Sequence, residues 1–82
     1  MAEKYELEAK YLGIKHDEAT DMITFKTKYK LLETEFYMLN STKEDFAYTK
    51  EMLEKAVGNV KFKGFVDINK HLMVEELSFK TK

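Results

Sequence analysis

The chain predicts a mainly β domain (α+β) of five strands, with one helix between the third strand and the fourth. Apolar and charged side chains alternate with period two through most of its length, whereas a single stretch switches to helical spacing. Gly13 interrupts the first alternating run at a point where a strand would bend, and Gly64 sits in the middle of a later one.

In the first strand Tyr5, Leu7, Ala9 and Tyr11 alternate with Glu6, Glu8 and Lys10. The phase then shifts near Leu12 and Gly13, so that Leu12 and Ile14 become the apolar partners, as at a bulge. A polar connection, His16 to Asp21, leads into Met22 to Leu31, where Ile23, Phe25, Tyr29 and Leu31 oppose Thr24, Lys26, Lys28 and Lys30. The third run, Leu32 to Leu39, sets Thr34, Phe36 and Met38 against Glu33, Glu35, Tyr37 and Leu39. No ordinary turn residue marks the boundary between these two runs.

The helix is expected over 41–57. Ser41 with Glu44 three residues later fits a capping box, and Gly58 supplies a left-handed stop. Phe46, Thr49, Met52, Leu53, Ala56 and Val57 fall on one side at helical spacing, while Lys43, Lys50, Glu51 and Glu54 fall on the other. Tyr48 and Met52, at the edge of that stripe, are read as core or end packing. After the helix Val60, Phe62, Gly64 and Val66 alternate with Lys61, Lys63, Phe65 and Asp67, and the turn Asn69-Lys70-His71 leads to a last strand, Leu72 to Phe79. The adjacent Glu75 and Glu76 are expected at a bulge or an exposed edge. Met22, Met38, Met52 and Met73 are read as core filler, and Lys80 to Lys82 as a solvated terminus.

Composition narrows the function classes. At 82 residues the chain is expected to be a single domain, 1–82, and its 14 basic and 15 acidic side chains leave a net charge of -1. A chain of this size buries only about 60 to 65% of its unfolded surface, so a deep substrate cleft would be cut from a thin core. There is no Cys, Trp, Pro, Arg or Gln, which removes disulfides, thiolate metal sites and a cysteine nucleophile. The start, MAEKYELEA, has no apolar run of the signal-peptide kind, and no stretch approaches a membrane span, so a cytoplasmic location and no membrane partner are expected. A vocabulary of Lys, Glu, Tyr, Phe and Ile without Arg, Gln or Pro is that of an AT-rich coding sequence, pointing to a low-GC bacterium or its phage.

Five strands with a helix between the third and fourth is the order of the OB fold, a small Greek-key barrel closed at one end by that helix. The stretch VKFKGFVDINKHLMVEELSF, Val60 to Phe79, resembles the closing hairpin of OB domains, and the bent first strand with Gly13 is similar too. The likeness spans nearly the whole chain and points to no one OB family. A β-grasp arrangement would need Met22 to Leu39 as one strand, about 60 Å fully extended, too long for this domain.

Catalytic chemistry has little to work with. Ser41, Ser78, His16 and His71 are the only candidates for a serine relay, and Ser41 is taken up by the expected cap. His16-Asp17-Glu18 with Asp21, or His71 with Glu75, could gather metal ligands, but no ligand-spacing motif accompanies them and loops carry such residues for solvation. No glycine-rich loop exists to cradle a phosphate. A non-enzyme without cofactor or metal is expected.

The resemblance implies binding on the outer face of the middle strands, where OB domains commonly hold single-stranded nucleic acid or oligosaccharide, or serve as protein interaction modules. The residues that match such a face are Lys26, Lys28 and Lys30 on the second strand, Tyr37 on the third, and Lys61, Lys63 and Phe65 on the fourth. Lysines would track phosphates and rings would stack on bases. Met22 to Lys30, with Asp21 counted in, carries a net +2. In the OB strand order, however, the lysine rows flank Glu6 and Glu8 on one side and Glu33 and Glu35 on the other, the ordinary way to solvate a sheet. The overall acidity and the lack of Arg also weigh against reading base edges. The expectation is a binding module for single-stranded nucleic acid, or for a complex that handles it. The alternative is a protein-binding module or inhibitor, with a protein partner or a second copy on Tyr37, Leu39 and Phe65.

Overall fold

The computed structural model describes residues Glu3–Thr81 and contains β1 (Glu3–Asp17), β2 (Met22–Tyr29), β3 (Leu32–Met38), α1 (Lys43–Glu54), β4 (Ala56–Val66) and β5 (Leu72–Thr81). The sheet hydrogen bonds run in a ring in the order β1-β2-β3-β5-β4. All neighbours are antiparallel except β3 and β5, which run parallel and meet only at Phe36↔Leu72 and Tyr37↔Met73. The expected element order and strand neighbours are therefore present.

β1 is long enough to serve two partners, pairing with β4 through Ala9 and with β2 from Lys10 onward. The irregularity that lets it turn from one to the other lies between Tyr11 and Gly13. Leu12 is the extra residue of this bulge and is half exposed, rather than an apolar partner of Ile14. Ile14 and His16 carry the inward phase on, opposite the buried Phe25 and Ile23.

β2 stops at Tyr29, not at Leu31. Tyr29↔Leu32 closes a two-residue turn in which Lys30 has φ 56° and Leu31 projects 89% exposed. A positive φ at the first central position alone is the pattern of a type II′ turn, whose twist suits a hairpin. Lysine is an uncommon choice there, which is why the boundary is silent in the sequence.

The helix is shorter than its stripe suggests. Thr42, not Ser41, is the N-cap: its hydroxyl accepts from the Asp45 amide at 3.2 Å, and the Asp45 carboxylate accepts from the Thr42 amide at 3.0 Å. The capping box is thus shifted by one residue from Ser41 and Glu44, because Ser41 is buried and its amide is used by the carbonyl of Asp21. The C-cap is Lys55. Gly58 does adopt φ 79°, but inside β4, where pairing with β5 is interrupted between Val57 and Lys61. Val57 consequently belongs to a strand and is exposed, and Tyr48 stands 67% exposed instead of packing at the end of the ring.

The core gathers Phe25, Phe36 and Phe62, all with no exposed surface, together with Ala9, Ile23, Leu53, Val60 and Val74. Phe36 and Phe62 stack at 4.1 Å between centroids, and Phe25 meets Phe62 edge-on at 5.6 Å. Leu53, with Phe46 beside it, is the helix's contribution to this core. At Gly64 a Cβ would lie 1.8 Å from the Met73 carbonyl oxygen, so only glycine lets β4 approach β5 there. The β5 bulge follows at once, with Glu75 the extra residue between Gly64↔Val74 and Lys63↔Glu76. Lys80 and Thr81 extend β5 opposite Val57 and Ala56, and so are not a free tail; Lys82 lies outside the described residues.

Candidate binding face

Strand register places the outward residues in rows. One row runs round the whole ring: Lys15↔Thr24, Thr24↔Tyr37, Tyr37↔Met73, Met73↔Phe65 and Phe65↔Lys4. Tyr37 and Phe65, the aromatics expected on this face, are thus joined by Met73 of the strand between them. Met73 is buried to 6% exposure but stands outside the core cluster, so it is filler for this outer surface and not for the core. His71 caps the row, its ring 5.1 Å from that of Tyr37.

Two loops frame this surface. Asp67 organises the β4–β5 connection: its Oδ1 accepts from the amides of His71 at 2.7 Å and Asn69 at 3.0 Å, and its Oδ2 lies 3.3 Å from His71 Nδ1. The His71 amide, above all, holds the Asp67 carboxyl below the usual carboxylate range. The β1–β2 connection is fixed through His16, whose Nε2 lies 2.8 Å from the Ser41 carbonyl oxygen and 3.6 Å from Asp21 Oδ1. A carbonyl can only accept, so Nε2 carries a proton. His16 is therefore a part-buried tie between two loops, its ring tilted 32° to that of Phe46 at 5.8 Å, and not a solvated loop residue. Burial and the Glu35 carboxylate, which accepts from the Tyr37 hydroxyl at 3.4 Å, raise the Tyr37 pKa.

Beside Tyr37 a shallow cleft is lined by Lys15, Glu18, Met22, Thr24 and Glu35 among others. Within the cleft acidic side chains outnumber basic ones, Asp17, Glu18 and Glu35 against Lys15.

The lysines expected to follow phosphates fall into separate groups. Lys61 and Lys63 stand across from Glu8 and Glu6, and Glu6 takes both ammonium groups, at 4.0 and 3.3 Å. Lys26 and Lys28 face Glu35 and Glu33 across β3. On their other side Lys28 meets Lys10, a like-charge pair that composition does not reveal because it depends on where β1 changes partner. Lys30 leans over the Tyr29 ring at 5.4 Å. The seven expected residues therefore divide among a β2 lysine pair, Lys30 in the β2–β3 turn rather than on the strand, a β4 ion-paired group and an aromatic pair, with Lys10, Thr24, His71 and Met73 added by the tertiary structure.

His71 is paired with Asp67 and not with Glu75, which bonds Lys4 at 3.1 Å. Among the described residues no group of three or more His, Cys, Asp or Glu is placed to hold a metal ion, and no helix is long and apolar enough to cross a membrane. Comparison with known protein families, with curated proteins and with solved structures finds no match.

Proposed function

We propose that this chain is a non-enzymatic binding module that docks a protein partner on the outer row centred on Tyr37, Met73 and Phe65. The observation that carries the reading is the contiguity of these three side chains across β3, β5 and β4. Aromatic and Met side chains grouped on a rigid sheet, with His71 and polar groups at the rim, have the composition of an interface centre. The cross-strand glutamates support it further, because they offset the lysines that phosphate binding would need. If the ring is an OB-like barrel, the customary binding face lies on its second and third strands and on the β1–β2 and β4–β5 loops, which takes in Tyr37 and the two loops that frame the row.

A second reading, single-stranded nucleic acid, is favoured by one observation. Lys10 and Lys28 face each other, with Lys26 next on the same face, and none of the three lies within ion-pair distance of a carboxylate among the described residues.

Selection of a random peptide library on the folded domain, with hits mapped by amide chemical-shift perturbation, tests the first reading. Shifts centred on Tyr37, His71, Met73 and Phe65 and lost in Phe65→Ala are expected. A parallel titration of labelled single-stranded DNA and RNA at low and physiological salt decides the second. Salt-sensitive binding abolished by Lys10→Glu with Lys28→Glu, and no peptide on the Tyr37 row, would replace the first reading by the second.

A further inference from the structure

We infer that β5 is a self-pairing edge, through which two copies of this chain join antiparallel into one continuous sheet. β3 and β5 share only two register pairs, Phe36↔Leu72 and Tyr37↔Met73. Among the described residues, therefore, no strand lies beside β5 from Val74 to Thr81 on its side away from β4, and no backbone hydrogen bond from a turn or loop reaches it. Such an edge presents a row of amide and carbonyl groups ready to pair.

The occupant follows from the side chains. An antiparallel pairing about a two-fold axis at Ser78 sets Glu76 opposite Lys80 of the second copy, twice, and Leu77 opposite Phe79, also twice. Glu76, Ser78 and Lys80 are exposed, while Leu77 and Phe79 are half-buried against the core, so charges meet charges outside and apolar groups meet inside. Neighbouring registers lose this match. Centring on Leu77 opposes Glu76 to Ser78, centring on Glu76 opposes Glu76 to itself, and a slip by half a step sets inward residues against outward ones. The Glu75 bulge ends the regular edge on one side, and Glu76 to Lys80 lies beyond it. The pairing uses a surface separate from the Tyr37 row and does not depend on it.

Sedimentation velocity across a range of protein concentrations, with wild type and charge variants, tests the inference. A reversible monomer–dimer equilibrium is expected. Lys80→Glu, which breaks no ion pair among the described residues although Glu8 and Lys61 line the same cleft, should weaken dimerisation about tenfold or more, since two attractive pairs become repulsive. Glu76→Lys should do likewise, and the combined Glu76→Lys, Lys80→Glu variant should restore the dimer. In a chain without cysteine, Ser78→Cys should give a disulfide-linked dimer on mild oxidation, because opposed antiparallel Cα atoms lie about 4.5 to 5.5 Å apart. Lys50→Cys on α1 serves as the control. A chain that stays monomeric throughout overturns the inference. So does a dimer indifferent to the charge exchange, or one in which Ser78→Cys cross-links no faster than Lys50→Cys.

Discussion

The Tyr5 hydroxyl donates a 2.9 Å hydrogen bond to the backbone carbonyl of Met73, a residue 68 positions away in sequence. It binds the start of β1 to β5 across β4, at the point where Gly64 lets the two strands come close. Burial, and secondarily the Glu75 carboxylate, keep the phenol protonated well beyond its ordinary range. Tyr5→Phe should therefore cost about 1 kcal/mol, from the lost bond and the carbonyl left unsatisfied, as read from urea denaturation.

Gly64→Ala should be far more damaging than its one added carbon suggests. The new Cβ would meet backbone at 1.8 Å, and backbone cannot swing aside as a side-chain tip can. A loss of at least about 3 kcal/mol, or failure to fold, is expected in thermal or denaturant unfolding. Near wild-type stability would show that β4 and β5 do not approach as described.

The cap assignment is separable by mutation. Thr42→Ala removes the hydroxyl that accepts from Asp45 and should cost about 1 kcal/mol. Glu44→Ala should be close to neutral, because Glu44 is exposed and the reciprocal bond belongs to Asp45. Equal losses at the two positions in chemical denaturation would contradict the Thr42 box.

Asp67 makes a pH prediction of defined sign. Its carboxyl titrates below the usual range in the folded chain, so its contribution to stability is present above the unfolded-state value and is lost as pH falls through the folded one. The melting temperature of the wild type should fall more steeply on acidification through the carboxylate range than that of Asp67→Asn. Parallel slopes would mean that the His71 and Asn69 amides do not favour the ionised form.

Phe36 and Phe62 stack face to face with no exposed surface, and their ring contact joins β3 to β4 through the middle of the core. Phe62→Ala should cost about 3 to 5 kcal/mol, measured by denaturation, through lost burial and the cavity left behind.

Alternation placed most of β1 to β5 and set Tyr37 and Phe65 facing outward, because period two states which face of a strand is apolar before any partner is known. The strand neighbours, and with them the cross-strand glutamates, came instead from the resemblance to the OB order, since period two does not say which strand lies beside which. Met73 was not legible: its parity matches Phe65 and Tyr37 only once the β4–β5 and β3–β5 registers exist. The Lys10–Lys28 pair likewise depends on where β1 leaves β4 for β2.

Local chemistry misled where a competing long-range bond took the residue first. Ser41 is a good cap by type, but the Asp21 carbonyl claims its amide and His16 its carbonyl, so the cap falls to Thr42. Gly58 has the left-handed φ that a helix stop requires, yet β5 draws the chain into strand pairing from Ala56, two residues earlier. Composition, element order and facing of side chains were thus determined by the sequence alone, since they follow from local sterics and hydrophobic period. Element ends, the course of the outer row and the open edge of β5 were decided by the tertiary structure, because each depends on which distant backbone groups find one another when the sheet closes into a ring.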